Sequence, residues 1–234
     1  MHMLGIIGGT ALAYSKIVKD QTPKIVKTPY GEAQLFSNET QQFVFINRHG
    51  KERTIPPHMI NYRANLYALF EAGVKAILSI TSTGSLNSDY APGTFAVSHD
   101  YMQLTEIPTF FDDKIKHVVP SIDEPLRSKL IDTLDYLKVP YTSKAIYVQT
   151  RGPRLETQAE IRMFRQFADI VGMNFSSEAT LANELEIPIA NLSSIDNWAN
   201  GITNVPLSFE KVMEMVKKNT KTLESIVLYF IDNY

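Results

Sequence analysis

The sequence predicts a single α/β domain, and three observations lead there. Short, wholly apolar runs at Leu4 to Ile7, Ala76 to Ile80 and Ile189 to Leu192 have the length and composition of buried strands. Stretches with apolar residues at helical spacing alternate with them, the pattern of a layered α/β chain. The 234 residues, 44% of them hydrophobic, can bury one sizeable core, and no repeat, low-complexity tract or linker divides them. The domain is therefore taken as 1–234, with Met1-His2 (and Met3 beside them) reading as an expression scar.

Charge and composition narrow the function classes. The formal net charge is −2 with both signs interleaved, so no extended footprint for nucleic acid or an anionic membrane is expected, although a small anion can still be held locally. There are no cysteines, which removes disulfides, thiolate metal sites and a cysteine nucleophile. No apolar run has membrane-spanning length and no signal-peptide pattern is present, so the expected compartment is the cytoplasm.

In chain order, Leu4 to Ile7 is a strand delivering the tight, amide-rich turn Gly8-Gly9-Thr10. Lys24 to Val26 and Glu32 to Phe36, with Tyr30-Gly31 between them, read as a hairpin. The strand Gln42 to Asn47 ends at Arg48-His49-Gly50, where the arginine offers a planar fork of donors and the histidine a pH-dependent one. Pro56-Pro57 forces an extended entry to a helix from about Asn61, with Tyr62, Leu66, Leu69 and Phe70 on its apolar face and Gly73 at its end. Ala76 to Ile80 is a strand ended by the hydroxyl-rich turn Thr81-Ser82-Thr83-Gly84-Ser85, a second anion-friendly turn. Phe95 to Ser98 is a strand and Met102 to Pro120 an irregular, mobile surface segment. Pro125 to Leu137 is a helix, and Ala145 to Gln149 a strand. Ile170 to Met173, Glu178 to Leu185 and Ile189 to Leu192 form a strand, a helix and a last strand. The final strand ends in Ser193 to Gly201, and an amphipathic helix runs from Ser208 to the C-terminus.

The stretch Thr150 to Met173 carries the most specific local signal. Thr157-x-x-Glu160 is a capping box, which gives Glu160 an intrahelical task and leaves Glu156 without one. Glu156, on a loop stiffened by Gly152 and Pro153, either decorates the helix entrance or faces a ligand.

Taken together, GIIGGT, RHG-x5-PP-x2-INYRAN, TGSL, GPRLET-x-AEI, DIVGM and EATLANELEI resemble the trimeric purine nucleoside phosphorylase and methylthioadenosine phosphorylase family, in order and over essentially the whole chain. The resemblance implies a central mixed sheet forming a distorted barrel, flanked by helices. It also implies attack of inorganic phosphate on C1′ of a purine nucleoside, releasing free base and a ribose 1-phosphate, in a homotrimer or a dimer of trimers. Phosphate is a co-substrate, and no metal or other cofactor is expected. In such enzymes phosphate is held by the residues matching Thr10, Arg48, His49, Thr81 and Ser82, the last through its backbone amide, and the residue matching Met173 lines the ribose. Two departures stand out: Arg53 replaces a histidine common in methylthioadenosine enzymes, and Asn174 replaces a small hydroxyl residue that touches phosphate.

Glycosidic cleavage passes through an oxocarbenium-like sugar, so an anion beneath it and a stabilised leaving group are the main requirements. Leu155 and Glu156 match the base-recognising pair of the inosine-guanosine branch, where a carboxylate accepts the purine N1–H. Asn197 falls where that branch has asparagine, suited to N7 and O6. If Asp196 faces the base instead, adenine returns as a candidate. Phe209 falls where methylthio enzymes are apolar and enzymes for a plain 5′-hydroxyl carry histidine. Phosphorolysis of 6-oxopurine nucleosides, 5′-methylthioinosine included, is the leading expectation. Methylthioadenosine phosphorolysis and a non-catalytic purine-binding module are the alternatives.

Overall fold

The computed structural model describes residues 3–12, 15, 17, 22–37, 43–50 and 54–234. Gln42 and Arg53, both named above, lie outside that set, as do Met1 and His2. Nine strands form one sheet: β1 (Leu4–Gly8), β2 (Thr22–Thr28), β3 (Gly31–Ser37), β4 (Phe43–Asn47), β5 (Ala76–Ser85), β6 (Phe95–Gln103), β7 (Tyr141–Gln149), β8 (Ile170–Gly172) and β9 (Ile189–Trp198). The helices are α1 (Tyr62–Glu71), α2 (Glu124–Tyr136), α3 (Gln158–Phe164), α4 (Phe175–Glu184) and α5 (Phe209–Asn233).

The strand order is β2-β3-β4-β1-β5-β8-β7-β6-β9, and β9 pairs back onto β5. Strands β5, β8, β7, β6 and β9 thus close a mixed barrel, as the family resemblance implies. β5 makes the closure possible by sharing one edge between two partners. Leu4 to Ile7 of β1 pair with Ala76 to Ser79, and β8 pairs with Gly84 and Ser85. Its other edge runs parallel to β9 from Ile77 to Ser85, with a register shift at Thr83/Gly84. Strands β4, β1, β5 and β9 are mutually parallel neighbours, so their C-terminal ends gather on one side, where α/β sheets commonly bind ligands.

One apolar cluster joins β1, β5 and β9 to α2 and α5 through Leu78, Ile80, Leu192, Leu130, Leu223 and Ile226. A second packs Ile77, Ile189 and Tyr147 under α1 and α4. The helix caps follow the sequence. Asn61 accepts from Ala64 N, Asp123 from Leu126 N and Ser208 from Lys211 N, while Thr157 and Glu160 form the full capping box. Phe70, expected on the buried face of α1, is 45% exposed, and Ala64 and Ala68 take its place beside Leu66 and Leu69.

The larger correction concerns strand length. The predicted turn at Thr81 to Ser85 is a continuation of β5, Ser193 to Trp198 a continuation of β9, and β6 runs on to Gln103. Beyond Ser98, β6 is held by its pairing with β7, and the polar residues of β5 and β9 are supported by side chains that satisfy one another. Asn191 Nδ2 donates to Thr81 Oγ1 (3.1 Å), Thr81 and Ser193 share a 2.8 Å bond, and Ser193 and Ser98 both donate to Asn191 Oδ1 (2.9 and 2.7 Å). Buried hydroxyls and amides paired in this way cost little. The irregular segment after β6 is as expected, but it is tied down: Thr109 Oγ1 and Phe110 N both donate to Glu184 of α4.

Candidate active site

At the gathered strand ends lies a cavity of about 550 Å³. Its first wall comes from β1 and β4. Because the two are parallel and in register at Gly8 and Asn47, Gly9-Thr10 and Arg48-His49 emerge side by side, joined by Arg48 N donating to Gly8 O (3.0 Å). Gly9 must be glycine here, since a Cβ would sit 2.6 Å from Arg48 Nη1.

Arg48 is 2% exposed, and its donors are mostly spent on protein. Nε and Nη2 grip Glu178 of α4 at 2.6 and 3.1 Å, Nη2 also reaches Ile7 O and Ser79 Oγ, and Nη1 donates to Ile80 O (2.7 Å). A guanidinium carries five N–H groups, so one N–H of Nη1 is left without a partner among the described residues, on the cavity wall. His49 Nδ1 lies 2.9 Å from Ile55 O, which requires an N–H at Nδ1, so a neutral ring carries its lone pair on Nε2.

The rest of the lining comes from β5, β8 and β9 and the loop before α3. Glu156 is 8% exposed. Its Oε1 accepts from Thr150 Oγ1 (2.6 Å), its backbone O accepts from Asn200 Nδ2 (3.0 Å), and Oε2 has no hydrogen bond among the described residues. Asn197 uses one amide N–H on Trp198 O (2.8 Å). Gly84, at the register shift, gives it room, because a Cβ there would approach Asn197 Nδ2 to 3.0 Å. Met173 and Asn174 are braced by Tyr62, whose hydroxyl donates to Met173 O (2.9 Å) and accepts from Asn174 Nδ2 (3.0 Å). Burial pushes the Tyr62 phenol well above its ordinary value, so it remains protonated. Ile55, Pro56, Phe209, Val212 and Met213 add apolar side chains to the lining.

Ten of the residues singled out from sequence therefore line one cavity: Thr10, Arg48, His49, Ser82, Leu155, Glu156, Met173, Asn174, Asn197 and Phe209. Thr81 and Asp196 do not. Thr81 is 1% exposed, with its hydroxyl turned to Ser193 and Asn191, as strand alternation requires once β5 continues past it. Asp196 is 2% exposed and lies behind the wall, so Asn197 is the one of the pair on the cavity surface.

A model of the Phosphorylase superfamily matches residues 3–232. The chain belongs to this superfamily. Among similar proteins, one named probable 6-oxopurine nucleoside phosphorylase, from Archaeoglobus fulgidus, is 40% identical over 96% of this chain and 94% of its own. Another, named probable S-methyl-5′-thioinosine phosphorylase, from Methanocaldococcus jannaschii, is 39% identical over 98% of this chain and 92% of its own. The fold is similar, with a TM-score of 0.89 over 99% of this chain and 91% of the other, to methylthioadenosine phosphorylase from Schistosoma mansoni in complex with adenine. At 24% identity that likeness bears on the fold alone.

Sequence reasoning missed three residues that shape this phosphorylase-superfamily cavity: Tyr62, Thr150 and Glu178. Glu178 had a readable signal, for it is the one charged residue between Ile170 and Asn183, and a buried arginine at a strand end needs a counter-ion. Tyr62 reads from its spacing as part of the apolar face of α1, and only the tertiary contact shows what its hydroxyl does.

Proposed function

We propose that this protein is a purine nucleoside phosphorylase acting on 6-oxopurine nucleosides, with 5′-methylthioinosine among its substrates. A phosphate oxygen forms the new bond to C1′ as the C1′–N9 bond breaks, and the electron pair of that bond leaves with the purine. The observation that carries the reading is that one cavity is lined by anion donors, by a carboxylate and an amide, and by apolar side chains. Thr10, His49, the backbone amide of Ser82 and the remaining Nη1 N–H of Arg48 hold phosphate, with Asn174 beside them. Met173 lies against the ribose. Glu156 Oε2 accepts the purine N1–H over Leu155, and Asn197 donates its second amide N–H to N7, stabilising the leaving base. Phe209, with Val212 and Met213, receives an apolar 5′ group. Thr81 has no direct role in this scheme. The names of the similar proteins support the reaction class and both kinds of 6-oxopurine substrate.

The same apolar side chains suit 5′-methylthioadenosine, which keeps methylthioadenosine phosphorolysis as the second reading. It requires Glu156 to face adenine N1, acceptor against acceptor. A purine-binding module without turnover would have no use for the anion donors. The proposal includes a cytoplasmic homotrimer, with phosphate as co-substrate and no other cofactor.

The test is product analysis after incubation with inosine, guanosine, adenosine and both methylthio nucleosides, with and without phosphate. Cleavage of the 6-oxopurines only when phosphate or arsenate is present is expected. Equal cleavage in phosphate-free buffer would refute a phosphorylase.

A further inference from the structure

Asp196 is a buried carboxylate with no cationic partner among the described residues. Its Oδ1 accepts from Ser194 Oγ (2.6 Å) and Asn219 Nδ2 (3.0 Å), and its Oδ2 accepts from Ser82 Oγ. No lysine, arginine or histidine among the described residues forms an ion pair with it. Burial is the main influence on the group and pushes its carboxyl up to about 6. Placing an unpaired carboxylate against the back of an anion-binding wall is costly, and Ser82 is the wall residue between the two.

A serine hydroxyl has a single hydrogen to give. While Asp196 is ionised, Ser82 gives that hydrogen to the carboxylate and turns only lone pairs toward the cavity, where they oppose an anion. Once Asp196 carries a proton, its O–H can donate to Ser82 Oγ, and the serine hydrogen is released to the cavity. We propose that Asp196 is a positioning residue that sets, through its own protonation, whether Ser82 meets an anion in the cavity as acceptor or as donor. The proposal rests on the reading that this part of the cavity binds phosphate.

The groups facing Asp196 are Ser82 from β5, Ser194 from β9 and Asn219 from α5, none of which titrates in the accessible range. Arg48, His49 and Glu156 share the cavity, and Glu178 lies behind Arg48. Histidine titrates near the same pH, so the diagnostic quantity is the difference between the wild type and an Asp196 variant. In Asp196→Asn, Oδ1 can keep Ser194 and Asn219 while Nδ2 donates to Ser82, fixing the donor state at every pH.

Sulfate, which stays doubly charged across the range, is titrated calorimetrically into the full-length wild type, Asp196→Asn, Ser82→Ala and the double variant between pH 5 and 8. Asp196→Asn is expected to bind sulfate on the order of tenfold tighter than wild type at pH 7.5. The gain should shrink to about twofold or less at pH 5 and disappear when Ser82→Ala is added. Unchanged or weaker binding by a folded Asp196→Asn overturns the proposal, as does a gain that survives loss of the hydroxyl, since that would be plain charge removal. Should Asp196→Asn fail to fold, Ser82→Ala decides. The ratio of its sulfate affinity to that of the wild type should fall as the pH is lowered, and a pH-independent ratio overturns the proposal. A wild type that binds no sulfate at any pH sinks the phosphate-binding reading as well. Binding by the wild type with no change in Asp196→Asn sinks this inference alone.

Discussion

Glu156 meets the cavity with one carboxylate oxygen held by Thr150 and the other open, and this asymmetry gives the base selectivity a direct test. A site built to accept one hydrogen bond can reject an analogue lacking the donor by roughly 10⁴ or more, so adenine nucleosides should be poor substrates. Glu156→Gln can donate to adenine N1. Steady-state kinetics should show kcat/KM falling at least about a hundredfold on inosine or methylthioinosine, with a smaller loss on the adenine counterparts. An unchanged ratio would mean that Glu156 does not read the base. Glu156 was legible in the sequence because its neighbour Glu160 is used up by the capping box, which local spacing reveals. Thr81 misled for a related reason. Its type suits an anion, but which face of the strand it takes depends on where β5 ends, and that depends on partners on β9 more than a hundred residues away.

Helix α4 acts on the cavity through Arg48, although it lies behind the wall that carries the guanidinium. Glu178 fixes the guanidinium in two places, and Ser79 donates to the same carboxylate (2.6 Å). Glu178→Gln leaves the arginine charge buried without a counter-charge, a loss of about 3 kcal/mol or more. Urea denaturation should show that loss, and assays in which the variant remains folded should show a raised KM for phosphate with base affinity little changed. Wild-type stability together with an unaltered phosphate KM would remove Glu178 from this role. Legibility at the element scale split along chemical lines. The start of α3 is readable from its capping box and the hairpin from Tyr30-Gly31, because both are local, whereas α4 begins at Phe175, ahead of the expected Glu178, and has no side-chain cap to announce it. From sequence, β5 and β9 stop short where their apolar runs give way to Ser, Thr and Asn, and β6 where His99 and Asp100 follow, because the cross-strand partners of those residues are invisible to a window along the chain.

The whole molecule presents Leu104, Ile107, Ile115 and Val119, 57 to 94% exposed, along the segment between β6 and α2. That segment is anchored to α4 and carries an ion pair from Arg63 to Asp112, so its apolar side chains are displayed on a fixed surface, as at a subunit contact. Light scattering at assay concentration is expected to report a trimer, and a fully active monomer would refute the assembly. The barrel itself was out of reach of periodicity, since closure depends on β5 sharing one edge between β1 and β8. It entered the sequence reading only through the ordered motifs that resemble a known family.

Closing β9 onto β5 has a consequence for how copies of this chain can meet. With the ring shut, β2 is the strand at the free end of the sheet among the described residues. Its outward course carries Pro23, which has no N–H to offer, and the exposed Lys24 and Lys27, residues that discourage another strand from adding on. Backbone-to-backbone extension of the sheet is thus blocked at its open margin. Association between copies is then expected to use side chains on other faces of the molecule.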